Sequence, residues 1–216
     1  MRVIIRSLGE LCITAGLVVL LFVTYELWGT GRYTSEQQDR LGRDLLRSWE
    51  TGPVTREKVK LGSGLAMLRI PRFGSDFRYV IVHGVGQDDL RKGPGHYPGS
   101  ALPGDVGNFV VSGHRTTYSA PFNRVGELRK GDRILIDTKA KQYVYQVTGR
   151  EIVKPDAVEV TAPVPMHPKK RPTEKLITLT TCHPKYSARE RLIIFGRLVS
   201  ELPRVTAPSA AGRAGA

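Results

Sequence analysis

Cysteine is scarce in this sequence, and the scarcity narrows what the chain can be. The 216 residues contain two cysteines, Cys12 and Cys182. Cys12 lies in an apolar N-terminal segment, so we do not expect the two thiols to form a disulfide, and a disulfide-rich scaffold is excluded. The paired cysteine and histidine spacings of zinc sites are missing as well. We predict no metal and no cofactor, and Cys182 is the only cysteine of the predicted folded region.

Blocks of like charge are also missing, although the chain is strongly basic. Lysine and arginine total 33 against 20 aspartate and glutamate residues, which gives a net charge of +13 and an isoelectric point near 10.0. Such a balance favours anionic partners, namely nucleic acid, an anionic membrane or an anionic cell wall. The basic residues are scattered, however, and form no recognisable nucleic-acid-binding motif. We therefore predict no nucleic-acid partner, and whether the charge serves binding at all stays open.

Only one long hydrophobic run is present, at residues 11–28. A helix of that length spans about 27 Å, near the thickness of a bilayer core. Arg2 and Arg6 precede the run, so the positive-inside rule places residues 1–10 in the cytoplasm and the rest of the chain outside the cell. The sequence predicts a single-pass transmembrane signal anchor at the cell membrane.

A cleaved signal peptide is the alternative for this segment. Its apolar stretch normally runs about 7–15 residues and ends at a small-x-small site. The tripeptide at 29–31, Gly-Thr-Gly, matches that site poorly. Tyr25 and Trp28 fall where interfacial aromatic residues are found at the end of a membrane span. We therefore favour an uncleaved anchor.

Beyond the anchor the sequence divides into three parts. We predict a juxtamembrane helix with a linker, a folded catalytic domain and a disordered tail, at residues 29–64, 65–200 and 201–216 respectively. The helix is predicted over 34–49, with Thr34 or Ser35 as its N-cap, because leucines and a tryptophan recur there at helical spacing. The tail is small and polar, which is typical of a disordered segment.

The folded domain has few helical signals and many short strand-like runs. Turn residues separate these runs, which are rich in β-branched and aromatic residues. They lie at 65–70, 77–82, 108–113, 133–137, 142–147, 176–182 and 192–199. Helical signals are confined chiefly to Ala120–Leu128, and a proline-rich loop covers 154–172. The pattern predicts an all-β domain, either a barrel or a sandwich, with short helices.

Cys182 ends the strand-like run LITLTTC and opens a segment rich in cations. Thiols attack as thiolates, and nearby cations lower the pKa of a thiol. Lys185, Arg189 and Arg191 follow in the same segment. A buried apolar cysteine that ends a core strand is the alternative. The pattern indicates a candidate nucleophile at an accessible strand end.

His114 and Arg191 are the candidate partners of this thiol. His114 ends the run NFVVSGH, and a histidine there could exchange protons near neutral pH. Arg191 precedes the apolar run LIIFG, so a strand, a turn and a returning strand would bring its guanidinium back to Cys182, where it could donate to an oxyanion. Each residue alone is equally typical of an exposed surface position. His183 adjoins the cysteine, but neighbours on a strand point to opposite faces, which argues against it.

Three strings together resemble a known family. They are TLTTC at 178–182, RLII at 191–194 and SGHR at 112–115, the last preceded by GHYPGSALPGDVGNFVV. They resemble the signature of the sortases and fall in that family's order, within about 65–200. The versions HRTTY and TTCHPKYS are most similar to class E, the housekeeping sortases of high-GC Gram-positive bacteria.

The resemblance implies a fold and an activity. The implied fold is a sortase-type closed β-barrel of about eight strands, behind the transmembrane helix. The implied roles are nucleophile for Cys182, acid/base for His114 and oxyanion stabiliser for Arg191, with Tyr118 and Thr181 as further substrate-binding candidates. The implied reaction cleaves a Thr–Gly bond in the sorting signal of a secreted protein. It then joins that protein to an amino group of a lipid-linked peptidoglycan precursor.

Two other functions remain open from the sequence. An L,D-transpeptidase is also a Cys–His enzyme of the cell wall, but its hallmark places His, Ser and Gly just before the cysteine. Here Thr180 and Thr181 precede Cys182. A non-catalytic wall-binding module on a membrane stalk would suit the positive charge, but it would leave the placement of the cysteine, histidine and arginine unexplained.

Overall fold

A computed structural model describes residues 2–25, 29–51 and 59–204 of the chain. Within them, two long helices precede eight strands, and a one-turn helix α3 (Gln87–Leu90) follows the second strand. The long helices are α1 (Arg2–Thr24) and α2 (Thr30–Thr51). The strands are β1 (Gly64–Arg69), β2 (Arg78–His83), β3 (Gly95–His96), β4 (Gly107–Ser112), β5 (Arg133–Asp137), β6 (Lys141–Val153), β7 (Lys175–His183) and β8 (Glu190–Pro203).

The eight strands close into a barrel in the order β1-β2-β3-β4-β7-β8-β6-β5, with β5 returning to β1. The pairs β2–β3 and β4–β7 are parallel, and the other pairs are antiparallel. Alternate residues of each strand fill the interior, as Phe109 and Val111 do on β4 and Ile177 and Leu179 on β7. Each such side chain, fully buried, contributes about 1.5–3 kcal/mol. The predicted barrel is confirmed, and the sandwich alternative is wrong.

Two local predictions inside the barrel need correction. The two-residue strand β3 was not predicted, because two residues carry no alternation. The helix predicted over Ala120–Leu128 is a single 3-10 turn, Val125–Glu127. Val125 and Leu128 are 1% and 2% exposed in the core, so their apolar spacing reflects one tight turn packed against the barrel interior.

Helix α1 is long and apolar enough to cross a membrane, and none of its residues is buried. Its 23 residues extend about 35 Å, which fits a membrane anchor. The helix begins at Arg2, well before the predicted span of 11–28, because residues 2–10 continue the helical hydrogen bonding with an Arg6–Glu10 ion pair one turn apart. Trp28 lies outside the described residues.

Helix α2 begins at Thr30, four residues before the predicted start, and it packs on the barrel. The N-cap predicted at Thr34 or Ser35 is wrong, because both residues lie inside the helix. The buried Thr34 hydroxyl instead donates to the carbonyl oxygen of Arg91 at 2.8 Å. Part of the predicted linker, residues 52–58, lies outside the described residues.

The predicted disordered tail begins three residues too early. Strand β8 continues to Pro203, which pairs with Lys141 at the start of β6. Glu201 in this extension accepts hydrogen bonds from the ammonium groups of Lys141 at 2.7 Å and Lys175 at 2.6 Å. These two bonds hold the pKa of Glu201 at about 2, so the carboxylate stays charged and stabilises the strand end. Residues 205–216 lie outside the described residues.

Candidate active site

The strand register places the three predicted catalytic residues at one end of the barrel. Cys182 on β7 lies directly opposite Arg191 on β8. Strand β4 runs parallel to β7 with Ser112 opposite Thr180, so His114 and Cys182, two residues beyond each, reach the same level. Since Ile177 and Leu179 face the interior, alternation along β7 turns Cys182 to the outer surface.

Hydrogen bonds fix the loop that carries His114 to the end of β7. The Gly113 N–H donates to the Thr180 carbonyl oxygen at 3.1 Å, and the Thr181 hydroxyl donates to the Gly113 carbonyl oxygen at 2.7 Å. Phe122 closes the turn by donating its N–H to the His114 carbonyl oxygen at 3.0 Å. Thr181 is 4% exposed, so in this structure its hydroxyl positions the His114 loop. Its contact with a substrate stays a prediction.

The His114 imidazole is enclosed and has a free nitrogen. Within the described part of the chain, its Nε2 atom is buried and has no hydrogen-bond partner. Burial lowers the pKa of His114, and the positive charge of Arg91 lowers it further. The ring is therefore neutral near neutral pH. A neutral imidazole with an unshared nitrogen can take a proton from a thiol or return one to a leaving amine.

Tyr118 forms one wall of this enclosure. Its ring lies 5.0 Å from the His114 ring, centroid to centroid, at 38°. The Arg91 guanidinium carbon lies 5.8 Å from the Tyr118 centroid on the same ring, within reach of a cation–π interaction. Tyr118 has φ 52°, and the next two residues, Ser119 and Ala120, also have positive φ. Three consecutive non-glycine residues in this region are strained, so the loop depends on its surroundings to keep its shape.

Arg191 lies opposite Cys182 on the neighbouring strand, but its guanidinium group points toward backbone carbonyl oxygens. Its Nη1 donates to the carbonyl oxygens of Ala188 at 2.9 Å and Glu190 at 3.0 Å. Ala188 lies in the turn between β7 and β8 and Glu190 is the first residue of β8, so Arg191 stabilises the entry from that turn into β8 in this structure. Its predicted interaction with an oxyanion stays a prediction.

Arg115 is a residue whose role was not predicted from the sequence. It is 8% exposed, and its Nη1 donates to the Cys182 carbonyl oxygen at 3.2 Å. Burial lowers the pKa of Arg115, while the negative charge that Cys182 carries as a thiolate raises it. The signal was its place directly after His114 in the string SGHR. A second link joins the same loops, because Asn123 binds the Arg115 carbonyl and also accepts from Lys185.

His183 faces away from the thiol, as predicted. Strand β7 extends through His183, which lies opposite Glu190, so its side chain alternates with that of Cys182. The imidazole lines a cleft of about 390 Å³ together with Arg115 and Leu192. His183 is thus on the other side of the strand from the candidate nucleophile.

Fold and site together are those of a β-barrel enzyme with a cysteine nucleophile. The family model described as "Sortase domain" matches residues 68–199. Sortase SrtE1 of Streptomyces coelicolor is 34% identical over 92% of this chain, and sortase SrtE2 of the same organism is 32% identical over 90%. The chain belongs to the sortase family.

The chain spans 58% of the length of SrtE1 and 82% of the length of SrtE2. Among solved structures, it resembles sortase E1 of Streptomyces coelicolor with a tripeptide in the active site. That likeness has a TM-score of 0.62 and 35% sequence identity, and it covers 71% of this chain and 99% of that one. The relatives thus include the class E enzymes that the sequence motifs indicated.

Proposed function

We propose that this chain is a membrane-anchored transpeptidase that attaches secreted proteins to the cell wall. It cleaves a Thr–Gly bond in a C-terminal sorting signal of the LAXTG or LPXTG type. It then joins the threonine to an amino group of a lipid-linked peptidoglycan precursor. The observation that carries the proposal is the register of three strands, which brings Cys182, His114 and Arg191 to one end of the barrel.

The first half of the reaction forms a thioester. His114 takes the proton of the Cys182 thiol, and the resulting thiolate attacks the carbonyl carbon of the Thr–Gly bond to form an S–C bond. As the C–N bond breaks, His114 gives a proton to the departing glycine amine. Arg191 and the neighbouring Arg115 supply positive charge beside the oxyanion, which a guanidinium keeps at any pH the enzyme meets.

The second half releases the product. The amino group of the acceptor attacks the thioester carbonyl and loses a proton to His114, a C–N bond forms, and the S–C bond breaks to release the thiolate, to which His114 returns the proton. Every proton moved in one half is returned in the other, so no cofactor is needed for the balance. The neutral imidazole favoured by burial suits the proton-accepting step.

The proposed membrane orientation of the chain follows from helix α1. With Arg2 and Arg6 on the cytoplasmic side, the barrel lies outside the cell, where the secreted donor and the wall precursor are both found. Resemblance to class E implies preference for LAXTG over LPXTG. Tyr118 is the candidate reader of the alanine, since its hydroxyl could bond the backbone amide that proline lacks.

Intact-protein mass spectrometry tests the proposal. Purified protein incubated with an LAXTG peptide should gain the mass of the acyl fragment up to threonine. Cys182→Ala should gain none, whereas the matched variant Cys12→Ser should behave as the unchanged protein. An adduct that survives in Cys182→Ala, or the absence of any adduct or peptide cleavage with both LAXTG and LPXTG, would overturn the proposed function.

A further inference from the structure

Helix α2 is attached to the barrel by the side chain of Gln38, which makes three hydrogen bonds to backbone groups of the barrel side. The Gln38 Oε1 accepts from the Val80 N–H at 2.7 Å. Its Nε2 donates to the carbonyl oxygens of Val80 at 3.0 Å and Lys92 at 2.8 Å. Such partly buried bonds leave unpaired backbone groups when they are removed, so the helix is held specifically. Leu45 of the same helix is also buried, at 6% exposed.

The first turn of α2 also contacts the loop that carries the catalytic histidine. The Thr30 hydroxyl accepts from the Tyr118 N–H at 3.4 Å, and the Gly31 carbonyl oxygen accepts from the Ser119 hydroxyl at 3.0 Å. Tyr118 in turn lies against the His114 ring. The end of α2 that is nearer to the membrane anchor is therefore the end that touches the active site.

The covalent chain sets how far this contact can lie from the bilayer. Helix α1 ends at Thr24, and Thr30 follows six residues later. Even fully extended, six residues reach at most about 22 Å. Two exposed tyrosines lie at this junction. Tyr25 follows α1 and is 65% exposed, and Tyr33, in the first turn of α2 next to Arg32, is 43% exposed. Tyrosine is typical of the membrane–water interface.

We propose that α2 is a rigid strut that holds the barrel end carrying Cys182, His114 and Arg191 at a short, fixed distance from the membrane surface. The inference rests on the proposed function and on α1 crossing the membrane. It adds that docked α2, and not a free tether, sets the distance between the active-site end of the barrel and the bilayer.

Two insertions of equal length distinguish a helix α2 that is docked on the barrel from one that is only a flexible tether. Twenty Gly/Ser residues placed between Tyr25 and Gly29 lengthen the chain before α2, and the same insert between residues 52 and 58 lengthens it after α2. Such an insert has a mean end-to-end distance of about 25 Å. If α2 is a docked strut, only the first insert frees the active site from the membrane. Gln38→Ala combined with the second insert should then free it as well.

The first readout is independent of activity. In full-length protein carrying Cys12→Ser, reconstituted in vesicles of phosphatidylcholine and phosphatidylglycerol, a fluorophore on Cys182 reports energy transfer to a dye on lipid headgroups. We expect equal, high transfer in the parent and in the variant with the insert after α2. We expect lower transfer with the insert before α2, and with the later insert plus Gln38→Ala. Equal transfer in all four proteins would overturn the strut, as would a loss caused by the later insert alone.

The second readout is cleavage of one LAXTG peptide in two forms, soluble or held on the same vesicles by a lipid tail. Each variant's rate on the vesicle-held form is divided by its own rate on the soluble form. Effective concentration falls roughly as the −3/2 power of tether length, so the insert before α2 should lower this ratio on the order of tenfold. An unchanged ratio contradicts the inference. Failure of the parent to cleave the soluble peptide would instead count against the proposed function, while the energy-transfer result still decides the strut.

Discussion

Two histidines on neighbouring parts of the barrel, the buried His96 and the partly buried His114, differ in how their ring nitrogens are bonded. His96 lies on β3 opposite Val111 of β4, three residues before His114. Its Nδ1 lies 2.9 Å from the Nδ1 of His83, and its Nε2 lies 2.9 Å from the Ser100 hydroxyl oxygen. Both nitrogens of His96 are thus engaged, whereas the Nε2 of His114 has no partner among the described residues.

Burial is the main cause that lowers the pKa of both rings. Hydrogen bonding is what differs between them. A ring with both nitrogens engaged stabilises the fold and has no free site for a substrate proton. A ring with a free nitrogen at a strand end beside a thiol can exchange protons, so His114 is the candidate for catalysis and His96 for structure.

Replacing each histidine by glutamine should separate these roles with the largest effect. General acid–base catalysis contributes typically about 10²–10⁴-fold, so His114→Gln should lower kcat/KM for an LAXTG peptide by that factor. His96→Gln should leave kcat/KM within a few-fold and lower the free energy of unfolding by about 1–3 kcal/mol, because buried partners lose their bonds. Peptide turnover and chemical unfolding measure the two effects. The reverse outcome, with His96→Gln the more damaging to turnover, would break the comparison.

The two arginines near Cys182 extend the comparison to charge. Loss of one oxyanion donor costs about 10²–10³ in rate, so Arg191→Ala should lose at least that in kcat. Arg191→Lys keeps the charge but loses the planar fork, and should recover little. Arg115→Lys, at a carbonyl contact, should be milder than Arg191→Ala. Single-turnover acylation rates measure this, and a near-normal Arg191→Lys enzyme would mean that only diffuse charge matters.

His96, whose two ring nitrogens are both engaged, should make the stability of the fold sensitive to acid. Burial lowers the pKa of His96 to about 4, against 6.5 when exposed. The unfolded chain therefore binds the extra proton first. This contribution to stability is complete above about pH 6.5 and is lost as the pH falls toward 4.

From pH 7 to pH 5, this residue should cost about 2 kcal/mol of unfolding free energy. His96→Gln should remove most of that pH dependence, and the exposed control His167→Gln should keep it. Urea unfolding at the two pH values checks the prediction. An identical pH dependence in His96→Gln and the parent would contradict it.

The smallest effect concerns the charge that faces His114. The Tyr118 ring packs against the His114 imidazole, and Cys182, Arg115 and Arg191 lie at the same end of the barrel. The charge that lowers the pKa of His114 is that of Arg91. Arg91→Gln removes a cause that lowers the pKa, so the pKa of His114 should rise in an NMR titration. Arg197→Gln, exposed on β8 opposite Leu176 and far from the site along that strand, is the matched control and should leave it unchanged. A fall, or an equal rise in both variants, would show that Arg91 does not act on the ring.

The sequence predicted what depends on neighbours along the chain. The run at 133–137 coincides with β5, and the run at 176–182 differs from β7 by one residue at each end, because alternation and β-branched residues are local signals. The motif strings likewise indicated the residues that the register brings together. Strand β3 escaped because its two residues pair only through their place between β2 and β4.

Contacts between distant residues could not be predicted in this way. Gln38 bonds Val80, 42 positions away, and no periodicity in either segment indicates that pair. The same holds for Arg115, whose bond to the Cys182 carbonyl spans 67 positions. The direction of the Arg191 side chain depends on its bonds to the carbonyl oxygens of Ala188 and Glu190. These details follow from closing the barrel, which the local pattern does not encode.

The pH dependence of Cys182 alkylation, measured in full-length protein carrying Cys12→Ser, tests most directly whether His114 and Cys182 act together. An interacting thiol and imidazole titrate as a pair, so the rate–pH profile should carry two steps. His114→Gln should remove one step and shift the other, and His96→Gln should leave the profile unchanged. A profile in His114→Gln that superimposes on that of the parent would contradict the account, because it would show that the free nitrogen of His114 does not serve the thiol.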